Sequence, residues 1–242
     1  MEVLNDDLPK DLQAEPPLPG VQPLTHGKWL HVDEAYAGQM AYRETLISKR
    51  LSDVHWMEDE ARDAACETLA EALILLPEMG FDVGRKFVTC PDGREVVLES
   101  DPPLVTLGRL IQEDVCILRK VGDEHVLVGA VLCFPANWTL REKAGRPLTR
   151  IHRPVPEYDA AIAKRVQRLF DGVQTGRPLW RNNMLRYEDA DLYQPRLEDG
   201  PDRELTGRGN FIRAERQCIL RLPISRDVIF SIHSYVVRAS ET

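Results

Sequence analysis

Apolar residues recur every three or four positions in several stretches of the chain, and this spacing predicts helices. The first predicted helix covers residues 34–48 with Asp33 as its cap, and the second covers 58–78. A short helix is expected after Asp101, which serves as its N-cap. The last predicted helix covers 157–173, and its apolar stripe consists of Ile162, Val166, Leu169, Phe170 and Val173.

The remaining patterned stretches show alternation or short apolar runs, which predict strands in three hairpins. The pairs are 85–90 with 94–98, 115–121 with 125–133, and 211–222 with 228–237. The run 125–133 is apolar at nearly every position, as expected of a strand that is buried on both faces. Hairpins separated by helices favour an α+β fold over a parallel doubly wound sheet.

Two long stretches show no periodic pattern of apolar residues. Residues 1–25 are rich in proline and acidic residues, and we interpret them as an N-terminal arm that packs through a few leucines or stays partly mobile. Residues 26–242 are expected to form a single domain, with Trp29 as its first core anchor. Residues 186–207 are acidic and irregular, which predicts a surface loop that either covers a pocket as a mobile lid or docks a partner.

The composition narrows the class of protein. The 242 residues are 43% hydrophobic, which is enough apolar material for a sizeable core. A net charge of −8 disfavours nucleic acid as a partner. No apolar run approaches the roughly 18 residues of a membrane-spanning helix, and the first residues lack the pattern of a signal peptide. Five scattered cysteines are typical of reduced thiols, so we expect a cytoplasmic protein with no membrane partner.

Several common catalytic motifs are absent from the sequence. There is no C-x-x-C pair for a zinc ribbon or a conventional iron–sulfur site, and no H-E-x-x-H or G-x-S-x-G motif. The dinucleotide-binding motif G-x-G-x-x-G and the phosphate-binding motif G-x-x-x-x-G-K-[ST] are also absent. The sequence therefore predicts no dinucleotide site on this chain.

A histidine between prolines stands where the second hairpin leads to the last helix. Pro154 and Pro156 each disfavour a helical conformation in the preceding residue, so Arg153 and Val155 are expected to be extended. His152 then enters a stiff backbone, which suits a metal ligand because it aims the side chain reproducibly. The alternative is a proline-rich connector with a surface or half-buried histidine, and the residues alone favour this alternative.

The same stretch, from Phe134 to Pro156, carries the long motif F-P-x-x-W-(x)4-K-x-G-x-P-L-(x)2-I-H-x-P-V-P. It resembles the signature of the heme-dependent oxidative N-demethylase alpha-subunit-like family. One position departs from the family pattern, because Met184 stands where the tryptophan of R-x-N-W is expected, and this puts the substrate and the activity in question. The resemblance covers residues 24–238, and its shorter pieces are Gly27–Trp29 with Asp33 and Tyr36, Trp180–Asn183, Glu215–Gln217 and Arg221–Pro223.

The resemblance implies a PAS-like fold, in which a curved antiparallel sheet holds heme b against helices. It also implies that His152 is the axial ligand of the iron, and Trp138 is a further expected cofactor contact. Nearby cations are expected to pair with the heme propionates, although a solvated basic face is the alternative role. The candidate cations are Arg150 and Arg153, or Arg141, Lys143 and Arg146.

The other histidines are weaker candidates for the ligand. His26 and His31 lie near the arm, and His55 lies in a polar turn. His125 is expected to be exposed because it begins a strand beside a turn, and His233 lies on a strand face with other polar residues.

Glu215 is the candidate catalytic residue and is predicted to share a strand face with Arg213 and Gln217. In a distal pocket its carboxylate would hold a secondary ammonium group with the C–H bonds near the iron. The alternative is a cross-strand ion pair with Arg216 or Arg238. The alternative role of Arg181, Asn182 and Asn183 is to form hydrogen bonds with backbone groups of a loop. The further pocket candidates are Arg181, Asn182, Asn183, Met184 and Gln217.

The function that the resemblance implies is oxygen-dependent removal of a methyl group from a small secondary amine such as dimethylamine, with release of formaldehyde. The implied partner is a reductase that carries flavin and an iron–sulfur centre and takes electrons from NADPH, and a homo-oligomer is compatible with the sequence. Two alternative functions are left open: a heme-based sensor without turnover, and a heme-free interaction domain.

Overall fold

Helices and antiparallel strands make up the computed structural model, which describes residues 2–13, 20–25, 27–154, 158–200 and 209–239. Within these ranges the α-helices are α1 Tyr36–Val54, α2 Arg62–Leu75, α3 Pro103–Leu110, α4 Leu140–Lys143, α5 Leu148–Ile151 and α6 Ala160–Gly172. Short 3-10 helices cover Lys10–Leu12, Asp59–Ala61 and Leu76–Met79. The strands are β1 Gln22–Pro23, β2 His55–Met57, β3 Asp82–Val83, β4 Phe87–Thr89, β5 Glu95–Val97, β6 Asp114–Val121, β7 Glu124–Val131, β8 Leu179–Tyr187, β9 Phe211–Arg221 and β10 Val228–Arg238.

The main sheet contains seven strands in the order β1-β8-β9-β10-β6-β7-β2, and each neighbouring pair is antiparallel. A small second sheet has the order β3-β4-β5. Helices and antiparallel sheets in one chain confirm the predicted α+β class. None of the helices in the described ranges is long and apolar enough to cross a membrane.

Alternating side chains of the main sheet enter two separate cores. On one face, Val115 and Ile117 of β6 pack with α1, α2 and α3. On the other face, Cys116 and Leu118 of β6 pack with residues of α4, α5 and α6. Since successive strand residues point to opposite faces, one strand supplies both cores. The sheet is therefore covered by helices on both sides, and the segment that contains His152 lies on the second face.

The three predicted hairpins are confirmed, with small changes at their ends. The registers pair Val88 with Val96, Cys116 with Ala130, and Ser231 with Cys218. Predicted residues 132 and 133 follow the end of β7, and the second predicted helix is divided between α2 and the two flanking 3-10 helices.

Two predicted helix caps are wrong. Helix α3 has Pro102 at its N-cap, and no side chain caps it. Asp33 does not cap α1, because its Oδ1 atom accepts from the N–H of Ala35, while its other oxygen binds side chains of the core. At α3 the two prolines fix the backbone of the first turn, so no aspartate cap is needed. At Asp33 the buried partners fix the position of the side chain.

The structure corrects the predicted surface loop at 186–207. Arg186 and Tyr187 are the last residues of β8, a strand that the sequence pattern did not predict. Leu192 is completely buried, and Gln194 forms backbone hydrogen bonds with Pro135 and Asn137. The backbone is irregular as expected, and Leu192 and Gln194 attach residues 188–200 to the body, so this part of the loop is not wholly exposed. Its role as a mobile lid or a docking surface stays a prediction. Residues 201–208 lie outside the described part of the chain.

The described residues of the N-terminal stretch contact the body closely. Leu12 is fully buried with Ala214 and Tyr235, and Gln22–Pro23 adds a short edge strand to β8. Trp29 is buried in the larger core, as predicted for the first anchor. The arm is thus attached to the sheet by leucine packing and strand pairing.

Candidate functional site

A buried ion pair fixes the start of the segment that leads to His152. Arg43 of α1 and Asp114 of β6 are buried, and their Nη1 and Oδ1 atoms are 2.7 Å apart. Asp114 also accepts hydrogen bonds from the backbone N–H groups of Cys133 and Phe134, at 2.7 and 2.8 Å. A buried carboxylate is costly unless it is paired and hydrogen-bonded. These two hydrogen bonds therefore fix the backbone of Cys133 and Phe134, just after the end of β7.

Two short helices continue the segment across the second face of the sheet. Leu140 of α4 and Leu148 of α5 are buried in the core on that face. Between them, Gly145 has a φ of 67°, a left-handed conformation that glycine adopts without strain, and its N–H donates to the Leu127 carbonyl of β7 at 3.0 Å. These contacts tie both helices to the sheet and fix the position of the following turn.

His152 lies at the C-terminal end of α5, with φ −92° and ψ 5°. The next residue, Arg153, belongs to a turn in which its N–H donates to the Arg150 carbonyl at 3.4 Å. The hydrogen bonds that end α5 therefore bring the backbone into a turn before Pro154, and the extended conformation of Arg153 itself stays a prediction. Val155 lies outside the described residues.

The imidazole of His152 is oriented from two sides. Its Nδ1 atom is 2.9 Å from the Leu148 carbonyl oxygen, and its ring stacks on Tyr158 with a centroid distance of 4.4 Å. A carbonyl only accepts, so Nδ1 carries the proton and Nε2 keeps its lone pair. Burial lowers the pKa of His152, and the charges of Lys143 and Arg181 lower it further. The neutral imidazole therefore presents Nε2, which has no hydrogen-bond partner within the described ranges.

The cations near His152 differ in their surroundings. Lys143 is buried, and its Nζ donates to the Ile151 carbonyl at 2.7 Å and to Glu198 at 2.6 Å. Arg150 binds both carboxylate oxygens of the same Glu198 at 3.0 Å. The remaining predicted cations, Arg141, Arg146 and Arg153, are exposed, whereas Trp138 is half-buried against the core of this face.

A row of polar side chains crosses the sheet on the same face as His152. The register of β9 places Arg213, Glu215 and Gln217 on this face, and their shared face is as predicted. Gln217 donates to Glu215 at 3.1 Å, and Arg213 forms an ion pair with Glu215 at 3.3 Å. Arg181 of β8 donates to Gln217 at 3.3 Å, and its charge acts on His152. Glu215 is buried, and its carboxylate is oriented by neighbours on both sides.

The predicted ion-pair partners of Glu215 are wrong. Arg216 points to the opposite face, where it donates to the Lys28 carbonyl at 2.7 Å. Arg238 is exposed and pairs with Glu2 at 2.8 Å. Arg216 cannot reach the carboxylate of Glu215 because neighbouring residues on a strand alternate in direction. Arg238 shares the face of Glu215 in the register, but it lies at the end of β10, four residues beyond the one that pairs with Glu215.

The candidate pocket residues of β8 divide between the two faces of the sheet. Asn183 lies opposite Glu215 in the β8–β9 register and shares its face. Asn182 and Met184 point the other way, where Asn182 donates to the Leu12 carbonyl and Met184 packs beside Leu12. The structure therefore does not bring these two residues together with Glu215, because the alternation of the strand separates them from Asn183.

Helix α6 forms an incompletely covered apolar wall next to α5. Phe170, in the last turn of the helix, is buried against the sheet. Ile162 and Val166 on the same stripe are only half-buried. Asp159 caps the helix by accepting hydrogen bonds from two backbone N–H groups at 2.8 Å. The helix thus begins at Ala160, later than predicted, and it lies in contact with α5, the helix that ends at His152.

The residues around His152 and Glu215 lie within a stretch that matches a known protein family. The model of the family described as "Haem-dependent oxidative N-demethylase, alpha subunit-like" matches residues 20–242. The chain belongs to this family. The match covers nearly the whole chain and confirms the resemblance that the motif between Phe134 and Pro156 indicates.

The residues around His152 are of the kinds that a heme site uses. Heme iron needs one protein ligand, and the neutral imidazole offers Nε2 with a fixed ring orientation. Apolar side chains of α6 provide a half-covered surface for a flat macrocycle, and Lys143 and Arg150 provide cations next to it. In the described ranges no group of three or more His, Cys, Asp or Glu residues could hold a bare metal ion.

Sequence reasoning missed a buried polar cluster on the opposite face of the sheet. His233 is fully buried, with Nδ1 2.9 Å from Glu113 and Nε2 3.0 Å from Asp33. Burial alone would lower the pKa of His233, but the two carboxylates outweigh it and raise the pKa to about 9. The only signal in the sequence is the alternation of Ser231, His233 and Tyr235 with apolar residues along β10.

Two further histidines differ from expectation. His125 is buried, not exposed, because its ring packs on Phe170 and its Nδ1 lies 2.7 Å from the Gln167 amide. His31 lies next to His233, and burial, assisted by the charges of Arg216 and His233, lowers its pKa to about 4. Both imidazoles are therefore engaged in the cores, and that of His125 packs against α6 on the same face of the sheet as His152.

The stability of the protein is expected to fall as the pH rises above neutral. His233 has a higher pKa when folded than the usual 6.5, so its stabilising contribution is complete below pH 6.5 and is lost as the pH approaches 9. We expect the free energy of unfolding to decrease by at least about 1 kcal/mol between pH 7 and pH 9.5. Urea unfolding at both pH values measures this, and a His233→Gln variant, which cannot titrate, should show a smaller decrease. Equal decreases in the two proteins would contradict the assignment.

Proposed function

We propose that this chain is the heme-binding subunit of an oxygen-dependent oxidative N-demethylase that acts on a small secondary amine such as dimethylamine and releases formaldehyde. One observation carries the proposal: a neutral histidine with an available Nε2 and a buried carboxylate lie on the same side of the sheet. Membership in the family supports the general class of reaction. The substrate and the cofactor contacts are our inference.

His152 would hold the heme iron through Nε2, with its Nδ1–H donated to the Leu148 carbonyl. When bound, heme b supplies the iron at which oxygen is activated and the methyl group is oxidised. The hydrogen bond to Leu148 fixes the tautomer and the ring direction, as is usual for metal-bound histidines. Lys143 and Arg150 would interact with the propionates, and Trp138 lies half-buried in the core on this face.

Glu215 would bind the substrate as a secondary ammonium ion and hold its C–H bonds in a fixed direction. The carboxylate is buried, so an ammonium ion next to it gains a charge-assisted hydrogen bond in a region with little water. Gln217 and Arg213 bind the carboxylate from either side and limit its rotation. Asn183 on the facing strand is placed to offer a further polar contact.

Electrons would come from a partner, because this sequence contains no dinucleotide-binding motif. We propose a reductase that carries flavin and an iron–sulfur centre and oxidises NADPH, in keeping with the alpha-subunit-like description of the family. We also propose a cytoplasmic location and a single heme-binding domain over residues 26–242, in which self-association remains compatible with the sequence.

The main sheet supports a PAS-like arrangement. Five long strands occur in the order β8-β9-β10-β6-β7, so the β6–β7 hairpin lies beside the last strand along the chain, β10. Helices α4, α5 and α6 connect β7 to β8 and pack on one face of these strands. We propose that heme lies between these helices and the polar row of β9.

A second candidate function is a heme-free interaction domain or a sensor without turnover. One observation favours it: Glu198 already neutralises Lys143 and Arg150 within the protein. The absorption spectrum of the purified protein with and without added hemin distinguishes the candidates, because a heme protein gives a Soret band. Amine-dependent consumption of NADPH with a reductase then separates an enzyme from a sensor, and its absence would contradict the enzyme.

A further inference from the structure

Glu198 connects the irregular segment after β8 to the turn that carries His152. Its carboxylate is 2.6 Å from Lys143 Nζ and 3.0 Å from Arg150 Nη1, although Lys143 is 55 positions away in the sequence. The backbone N–H of Glu198 donates to Glu142 of α4 at 3.1 Å. Both ends of the residue are therefore held by the two short helices next to the proposed ligand.

Lys143 transmits this contact to His152. Its ammonium group donates to the carbonyl of Ile151, the residue immediately before His152, at 2.7 Å. A buried ammonium ion needs an opposite charge, and Glu198 is the carboxylate that provides it. The two cations hold the pKa of Glu198 at about 2, so this carboxylate stays charged at any ordinary pH.

The connection matters because, among the described residues, the one hydrogen bond to the imidazole comes from the same short helix. Nδ1 of His152 binds the carbonyl of Leu148, and α5 contains only four residues, Leu148–Ile151. A single helical turn is not stable by itself and takes its position from tertiary contacts. The Lys143–Ile151 and Arg150–Glu198 hydrogen bonds attach the last two residues of this turn to the neighbouring segments.

We propose that Glu198 is a positioning residue, which acts through Lys143 and Arg150 to hold His152 in the orientation that binds heme iron. This inference rests on the proposed heme site and goes beyond it, since it assigns a role to a residue outside the family-like motif. Outer partners of metal-bound histidines typically change metal affinity by about 10–100-fold when removed. We expect a loss of hemin affinity in the same range when the charge of Glu198 is removed.

The first test compares the hemin affinity of the wild type with that of Glu198→Gln, by titration of the purified proteins and by the ferric EPR spectrum. The variant keeps the shape of the side chain and removes the charge, and we expect hemin to bind about 10–100-fold more weakly, with a broadened axial signal. Asp227→Asn is the matched control, because Asp227 pairs with Arg119 at 2.6 Å on the opposite face of the sheet. The control should bind hemin as the wild type does.

A double-mutant cycle separates positioning from general loss of stability. Lys143→Met removes the ammonium group and keeps the length of the chain. If Glu198 acts through Lys143, the combined variant should bind hemin little worse than either single variant. Glu198→Asp, which retains the charge, should bind hemin more tightly than Glu198→Gln.

The outcomes are distinct. A wild type that does not bind hemin overturns the proposed function and this inference with it. A wild type that binds hemin, together with a Glu198→Gln variant of equal affinity and equal EPR spectrum, overturns the inference and leaves the proposed function standing. Tighter binding by Glu198→Gln also overturns it, because Glu198 would then occupy the place of a propionate.

Discussion

Replacing His152 with alanine is expected to abolish heme retention while the fold persists. The imidazole is half-buried, and its only hydrogen bond is to a backbone carbonyl of its own helix, so the loss of stability should be about 0.5–1.5 kcal/mol. The loss in hemin affinity should be larger, because no other described side chain replaces Nε2 at this position. The Soret band and the hemin titration measure the affinity, and circular dichroism measures the fold.

His55 is the matched control for this experiment. Its Nε2 atom is buried and has no hydrogen-bond partner in the structure, so it is the rival ligand on geometric grounds. We expect His55→Ala to keep the Soret band of the wild type. An unchanged band in His152→Ala, together with loss of heme in His55→Ala, would move the ligand to His55 and contradict the assignment. A His152→Gly variant with added imidazole offers a second check, because external imidazole should restore the band.

Replacing Glu215 with glutamine is expected to keep heme and to weaken the binding of dimethylamine by about 10–100-fold. A charge-assisted hydrogen bond in a buried site contributes about 1.5–3 kcal/mol, and the amide keeps the shape but not the charge. The stability should change modestly, because Arg213 retains its hydrogen bonds to the carbonyls of Leu192 and Phe134. Titration of the amine into both proteins while the Soret band is recorded gives the affinities.

Glu113→Gln is the control for the loss of a buried carboxylate. Glu113 lies on the opposite face of the sheet with His233, so the variant should lower stability without changing the affinity for the amine. Equal amine affinities in the wild type and Glu215→Gln would remove Glu215 from the pocket. A wild type whose Soret band does not respond to the amine would contradict the choice of substrate.

Local patterns predicted the parts of the site that depend on one element. Period-two alternation in β9 placed Arg213, Glu215 and Gln217 on one face, because a strand fixes the direction of each side chain. The helical stripe likewise predicted α6, although its first turn begins later than expected. Strand β8 was missed because it carries polar residues on the face toward His152 and lacks a binary pattern.

The amino-acid sequence by itself determined the α+β class, the hairpins, the family and the segment that carries His152, since all of these depend on periodicity or on a contiguous motif. Tertiary structure decided which side chains meet. It separated Asn182 and Met184 from Glu215, buried His125, and joined Lys143 to Glu198 across 55 positions. The physical reason is that burial and charge pairing depend on elements brought together by the sheet, and no local spacing in a sequence records which distant charge will neutralise a buried one.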